Sequence, residues 1–206
     1  MKNFLSVSMT TFTLSFALWI IWSYFLMQVD ISPSWDGSLI YLPHAARVLC
    51  VVYFGYKCIP ALYLAEICGP LTIYSAVQGP QMLFLAMISV LSVPFTLFIL
   101  KAIGFSLGNT RKSPLNKRNY RHVALITIIS AMLNALGLNL VLSIFEVNFL
   151  SGIADVVQVV RFLIGDILGA AIVFIMLAVT FRPLLRKPFW FSYLFQLSSH
   201  WLDLPE

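Results

Sequence analysis

Six polar side chains that could form ion pairs or contact a ligand interrupt stretches of sequence that are otherwise apolar. A charged group within the hydrocarbon of a bilayer costs several kcal/mol, so it almost always pairs with another group or faces a cavity. These side chains therefore mark where a binding site or a structural ion pair is to be sought. They are His44, Arg47, Glu66, Asn134, Asn139 and Asp166.

Depth along the helices places Arg47 and Glu66 at the same level. Arg47 precedes Lys57, in the turn between two apolar segments, by ten residues, and Glu66 follows it by nine. At the rise of an α-helix they lie about 15 and 14 Å from that turn. We therefore predict an Arg47–Glu66 ion pair between two antiparallel helices. Such a pair could equally be structural and serve only to fix the register of the helices.

Four further polar groups lie at comparable depth or nearer the outer face. Asp166 lies about 24 Å from the cytoplasmic end of its helix, and His44, one helical step from Arg47, lies about 20 Å in. Asn134 and Asn139 lie about 18 and 26 Å in. We expect these four residues and Arg47 to line a polar layer. The asparagines could instead join helices by hydrogen bonds, whereas an intramembrane carboxylate is a functional candidate by default.

The elements that position these groups are membrane helices. The chain has 206 residues, of which 60% are hydrophobic and only 10% are charged, and its mean hydropathy is +0.91. Soluble domains carry about 25% charged residues, so this composition indicates an all-α, polytopic membrane bundle. About 20 residues cross about 30 Å of hydrocarbon, and six apolar segments are close to that length: 5–28, 38–56, 59–78, 82–103, 122–146 and 158–181.

Basic residues divide the connections between these segments into two classes. Lys57 follows the second segment, the 103–121 loop holds five lysines and arginines, and three more begin the tail. The opposite connections hold acidic and amide residues, and neither lysine nor arginine. Because positive loops stay cytoplasmic, six spans with both termini in the cytoplasm satisfy every connection. Residues 1–187 then form the transmembrane domain, and the aromatic tail 188–206 lies in the cytoplasmic interface.

Prolines and glycines mark special backbone within these spans. Pro43, Pro60 and Pro94 are expected to kink their helices, although Pro43 could instead begin a half-helix. Gly165 and Gly169 form a G-x-x-x-G pattern, which allows close contact between helices. We expect Pro43, Gly165 and Gly169 to serve helix packing.

Signatures of catalysis and of cofactor binding are missing from the sequence. The chain has no H-E-x-x-H motif, no G-x-S-x-G motif and no phosphate-binding loop. No cluster of His, Cys and Asp has the spacing of metal ligands, and we predict no enzyme, no metal and no cofactor. The net charge of +5 is concentrated in the basic loops, which suit acidic lipid head groups better than nucleic acid.

Two stretches resemble a family of bacterial sensors. YLPHAARVLCVVYFGYKCIPALYLAEI contains Pro-His-x-x-Arg and then Gly-x-Lys-x-x-Pro, and VVRFLIGDILGAAIVFIMLAVTFRPL contains Arg-Phe-x-x-Gly-Asp-x-x-Gly. Both are similar to membrane-associated sensor domains of the MASE type, which precede histidine kinases and diguanylate cyclases and are usually longer, with more spans. The resemblance is best in 38–67 and 158–183. It implies a multi-pass protein of the bacterial inner membrane that perceives a signal, with these family-like positions: Pro43, His44, Arg47, Gly165, Asp166 and Gly169.

From these observations we predict a sensory or regulatory module. It contacts lipid and engages a ligand or the transmembrane helices of a partner. No kinase or cyclase follows Arg186, so we expect a stand-alone sensor that acts through a separate effector. The alternative is a small substrate-binding subunit of a transporter, which needs a face of small residues such as Ala131 and Ala135 for its coupling partner. A structural subunit of a membrane complex is a third hypothesis, for which a phenylalanine-rich lipid face and short loops suffice.

Overall fold

The protein is helical throughout the part of the chain that the structure describes. The computed structural model describes residues 2–26, 38–73, 80–105, 120–145 and 152–185, and no strand occurs among them. The expected all-α class is therefore confirmed for these residues. The helices are α1 (Lys2–Ile21, continued by a π-helical turn at Trp22–Leu26), α2 (Pro43–Phe54), α3 (Ile59–Ile73), α4 (Pro80–Ala102), α5 (Tyr120–Phe145) and α6 (Gly152–Leu185).

Five helical stretches of the described chain are long and apolar enough to cross a membrane. Large apolar side chains such as Phe95 on α4 and Ile144 on α5 are exposed, as expected for helices that face lipid. The second stretch contains both α2 and α3, which the sequence predicts as separate spans. The five stretches are Phe4–Leu26, Pro43–Leu71, Met82–Ala102, Tyr120–Ile144 and Val156–Thr180.

The α2 and α3 helices turn back on each other and do not form one straight helix. Nε of Arg47 on α2 lies 3.3 Å from Oε1 of Glu66 on α3, although a continuous helix would separate the two residues by about 28 Å. A 3₁₀ turn at Gly55–Cys58 joins the helices. Gly55 has a φ of 64°, which glycine adopts without the steric cost that a Cβ imposes.

Two of the three prolines that were expected to kink helices lie at helix starts instead. Pro43 is the first residue of α2 and Pro60 is the second residue of α3, where a backbone N–H would have no helical partner in any case. Pro94 lies inside α4 and Pro70 inside α3. Because α2 begins at Pro43, residues 38–42 of the predicted span are non-helical. The helix has 12 residues, which is about 18 Å.

The α1 helix packs against α2 and α3 with small polar side chains at the contact. Thr11 and Ser15 of α1 are fully buried. Further along α1, a Cβ at Gly69 of α3 would overlap the indole ring of Trp19. Small residues allow helix backbones to approach closely, and this approach fixes the position of the Trp19 ring within the bundle.

The α4 and α5 helices form the largest helix–helix contact among the described helices. The ring of Phe105, just after α4, lies 5.1 Å from that of His122 at the start of α5. Near the other end, a Cβ added to Gly137 would lie 2.6 Å from Cγ2 of Ile88. The two helices therefore form an antiparallel pair that is closely packed along its length.

The non-helical segment Ser38–Tyr41 lies on α6 at two glycines. The N–H of Tyr41 donates a hydrogen bond of 2.9 Å to the carbonyl oxygen of Gly165. A Cβ at Gly165 would overlap the carbonyl oxygen of Ser38, and a Cβ at Gly169 would overlap the backbone of Tyr41. The G-x-x-x-G pattern was expected to admit a helix, and the backbone that lies closest to it is instead this non-helical segment.

The described part of the chain divides into two units, one that ends at Ala171 and one that begins at Ile172. All residues of the site described below belong to the first unit. In the second unit, the described part of α6 carries the exposed apolar side chains Ile175, Met176 and Val179. The predicted interfacial tail 188–206 and most of the basic 103–121 loop lie outside the described residues.

Candidate functional site

Arg47 is the centre of a buried polar cluster. It is fully buried on α2, and its guanidinium contacts three other helices. Nε lies 3.3 Å from Oε1 of Glu66 on α3, and Nη2 lies 3.7 Å from Oδ1 of Asp166 on α6. Nη1 donates a hydrogen bond of 2.9 Å to the carbonyl oxygen of Ser89 on α4, and Cζ lies 5.2 Å from the centre of the Tyr41 ring. The predicted Arg47–Glu66 pair is present, and Arg47 pairs with Asp166 as well.

Asp166 is buried and receives contacts from α2 and α5. Nδ2 of Asn134 donates a hydrogen bond of 2.6 Å to its Oδ2 atom. Nδ1 of His44 lies 3.5 Å from the same oxygen, while Arg47 approaches the other oxygen. The structure therefore brings together four of the five residues that depth assigned to one polar layer.

The hydrogen bonds around His44 assign its tautomer. The hydroxyl of Ser130 donates to the carbonyl oxygen of Thr127 over 3.1 Å, and its oxygen lies 3.2 Å from Nε2 of His44. Because the hydroxyl hydrogen is used on Thr127, the oxygen accepts from Nε2–H. We assign a proton to Nε2 of His44 from this network. The cluster then holds one guanidinium and two carboxyl groups.

Three aromatic rings beside Glu66 were not singled out from the sequence as site residues. Nε1 of Trp19 and the hydroxyl of Tyr41 donate hydrogen bonds of 3.3 and 3.2 Å to Oε2 of Glu66. The ring of Trp22 packs edge to face against both, with centroid distances of 5.0 Å to Trp19 and 5.1 Å to Tyr41. The spacing of the two tryptophans places them on one face of α1, which is a signal that the sequence does contain.

Asn139 does not join the polar cluster, and its assignment to the layer was wrong. Its amide donates a hydrogen bond of 2.9 Å to the carbonyl oxygen of Ala135 on its own helix. Asn134 and Asn139 are five residues apart, so they point about 140° apart around α5. Similar depth therefore did not bring both asparagines to the same place.

A cavity of about 70 Å³ adjoins the cluster. Its wall is formed by α1, the Ser38–Tyr41 segment, α3, α4, α5 and α6. Glu66 and Asp166 line the cavity, whereas Arg47 and His44 do not. Most of the remaining wall is apolar, which is typical of a small-molecule site with a few polar groups that orient the ligand. The aromatic and polar lining residues include Trp19, Trp22, Tyr41, Phe162, Glu66, Asn134 and Asp166.

The segment that closes one side of the cavity is held by hydrogen bonds. Nε1 of Trp22 donates a hydrogen bond of 3.1 Å to the hydroxyl oxygen of Ser38, which itself donates to the carbonyl oxygen of Ile40 over 3.1 Å. The N–H of Tyr41 bonds to Gly165 of α6. Non-helical backbone at membrane depth is tolerated where protein groups satisfy it, and these bonds provide such partners.

Comparison of the chain with protein-family models, with curated proteins and with solved structures gives no match. Its function is therefore inferred from the site. Among the described residues, no three His, Cys, Asp or Glu side chains come together as a metal site. What the arrangement offers is a small cavity with two carboxyl groups, an amide and four aromatic side chains, which suits the binding of a polar ligand.

Proposed function

We propose that the protein is an integral sensory or regulatory module of the bacterial inner membrane. The resemblance of residues 38–67 and 158–183 to MASE-type sensor domains supports this proposal. The observation that carries it is the cavity beside Glu66 and Asp166, because buried charges in a membrane bundle that line a cavity mark a functional site. A ligand engages this cavity, and a separate effector receives the signal.

Occupation of the cavity can change the arrangement of the helices. Its wall combines five helices and the Ser38–Tyr41 segment, so a ligand contacts elements that are distant in sequence. Arg47 connects α2 to three further helices at the same level. A ligand that fits one arrangement of these elements better than another shifts the population towards that arrangement. The effector responds to this shift.

We further propose six membrane crossings with both termini in the cytoplasm. The reversal of the chain between α2 and α3 supports two crossings joined at Lys57. Tyr56 lines the same surface groove as Phe98 of α4, so this turn is near the end of the bundle where α4 ends and α5 begins. Lys57 and Arg121 are exposed, and a cytoplasmic location of this end agrees with the positive-inside rule.

Co-purification tests the sensory function. The protein is isolated in mild detergent from its native membrane, and its companions are identified by mass spectrometry for wild type, Asp166→Asn and Asn139→Ala. Asp166→Asn keeps the shape of the side chain and removes its charge, whereas Asn139 lies outside the cluster. We expect a kinase, a cyclase or another signalling protein with wild type and Asn139→Ala, and much less of it with Asp166→Asn. Transport subunits, or no specific companion in any sample, would reject the sensor.

The two other hypotheses predict different outcomes. Ala131 and Ala135, the small residues considered for a transporter's coupling face, are fully buried and are not exposed to a partner. Substrate uptake after co-expression with energising subunits would nevertheless favour a transporter subunit. One stoichiometric partner that is retained by Asp166→Asn would favour a structural subunit.

A further inference from the structure

The aromatic hydrogen-bond donors in the wall of the cavity are already engaged within the protein. The indole N–H of Trp19 and the hydroxyl of Tyr41 both donate to Glu66. The indole N–H of Trp22 donates to the hydroxyl oxygen of Ser38. A ligand that needed donors from these rings would have to break existing bonds, so the wall favours a ligand that supplies donors itself.

Asn134 offers an acceptor to such a ligand. The residue is 1% exposed, and its Nδ2 atom donates to Asp166. That bond to a carboxylate identifies the other amide atom as the oxygen. This Oδ1 atom is buried without a hydrogen-bond partner, and Asn134 lines the cavity. A buried acceptor without a partner is unfavourable, and a donor on a ligand would satisfy it.

The charged groups that face the cavity are both acidic. Glu66 and Asp166 line it, while Arg47 and His44 lie behind them and do not. The carboxyl groups of Glu66 and Asp166 share a single guanidinium, that of Arg47. Interactions between charges are strong in a medium of low dielectric constant, so the cavity attracts a cation.

We propose that the cavity binds a small primary amine in its protonated form, with the ammonium group at Asn134 and Asp166. This inference rests on the proposed function and names the ligand class of the same site. An ammonium group supplies three N–H donors, and its positive charge is attracted to the faces of tryptophan rings. The carbon chain of the amine packs against apolar wall residues such as Leu138 and Phe162. A quaternary ammonium ion has no N–H group for Asn134.

The size of the cavity sets the size of the probe. One water molecule needs about 10–15 Å³ of cavity volume. A cavity of about 70 Å³ therefore takes a molecule of a few non-hydrogen atoms. n-Butylammonium is a suitable probe. Tetramethylammonium is its isomer with the same charge and no N–H group, whereas 1-butanol and butyrate lack the positive charge.

The experiment uses the full chain in detergent and measures the thermal unfolding midpoint and the tryptophan fluorescence at increasing probe concentration. We expect saturable stabilisation by n-butylammonium and little by its isomer, by 1-butanol or by butyrate. In Asn134→Leu and Asp166→Asn the apparent Kd is expected to rise at least about tenfold. The matched variant Asn139→Leu, on the same helix and outside the cavity, is expected to bind as the wild type does.

Two results would overturn the amine assignment even if n-butylammonium binds. One is equal stabilisation of the wild type by all four probes. This result rejects the amine assignment from the wild type alone, even if a variant does not fold. The other is unchanged amine binding in both Asn134→Leu and Asp166→Asn. If no amine binds but an effector still co-purifies in an Asp166-dependent way, the ligand class is wrong and the sensory function stands. Saturable amine binding without any effector supports the ligand class and rejects the sensory function.

Discussion

Replacement of Arg47 by methionine tests the central role of its guanidinium. Methionine keeps an unbranched apolar side chain, so the main loss is the charged group. Glu66 and Asp166 would remain as buried carboxyl groups without the cation that now lies 3.3 and 3.7 Å away. The carbonyl oxygen of Ser89 would also lose one of its donors and keep the hydroxyl of Ser92. We therefore expect Arg47→Met to destabilise the bundle strongly.

The size of the effect follows from burial. Removal of one partner from a buried ion pair costs about 3–5 kcal/mol, and Arg47 is fully buried. Glu66→Gln is expected to cost only about 1 kcal/mol, because Arg47 still pairs with Asp166. In the double variant only Asp166 lacks a cation. The double variant should therefore lose less unfolding free energy than the sum of the two single losses, by about 1–3 kcal/mol.

The free energy of unfolding is measured in mixed lipid–detergent micelles by titration with a denaturing detergent, followed by far-UV circular dichroism. Wild type, the two single variants and the double variant form one thermodynamic cycle. Arg121→Met is the matched control, because Arg121 is exposed at the start of α5. Its replacement is expected to change the stability by less than about 0.5 kcal/mol.

Two outcomes of the cycle would refute this reasoning. The first is a cost of Arg47→Met no larger than that of Arg121→Met. The second is strict additivity of Arg47→Met and Glu66→Gln. Either result would mean that the guanidinium is not paired with Glu66 in an interior of low dielectric constant.

Three glycine substitutions test the backbone contacts in the same unfolding assay. Gly165→Ala is expected to cost about 1–3 kcal/mol, because its Cβ would overlap the carbonyl oxygen of Ser38. Gly137→Ala is expected to cost less, because Ile88 can rotate its Cγ2 away from a Cβ 2.6 Å distant. Gly55→Ala is expected to cost about 1–3 kcal/mol, because its φ of 64° disfavours a Cβ. Equal costs for Gly165→Ala and Gly137→Ala would contradict the packing of backbone on α6.

Depth along the helices was sufficient to predict the central ion pair. The rise of an α-helix per residue is nearly constant, so the positions of Arg47 and Glu66 relative to their turn can be counted from the sequence. The same count of residues predicted that His44, Asn134 and Asp166 lie in one layer, and the structure brings them together. The apolar composition was sufficient to predict the helical class, because few other structures satisfy their backbone in lipid.

The direction of each side chain around its helix could not be counted in this way. Asn139 has a suitable depth, yet it points about 140° away from Asn134. Tyr41 was missed because it lies on a non-helical segment, to which the rise of a helix does not apply. Trp19 was missed because an aromatic residue in a membrane helix is ordinary apolar sequence until its indole N–H is seen to contact Glu66.

The glycine face of α6 has a consequence for self-association. A G-x-x-x-G face often marks the place where transmembrane helices of two copies meet. Here the backbone of Ser38–Tyr41 from the same chain already covers Gly165 and Gly169 and is hydrogen-bonded to α6. A second copy would have to displace this segment before it reached the glycines. A homodimer that leaves this segment in place therefore uses a different surface, despite the dimerisation motif in the sequence.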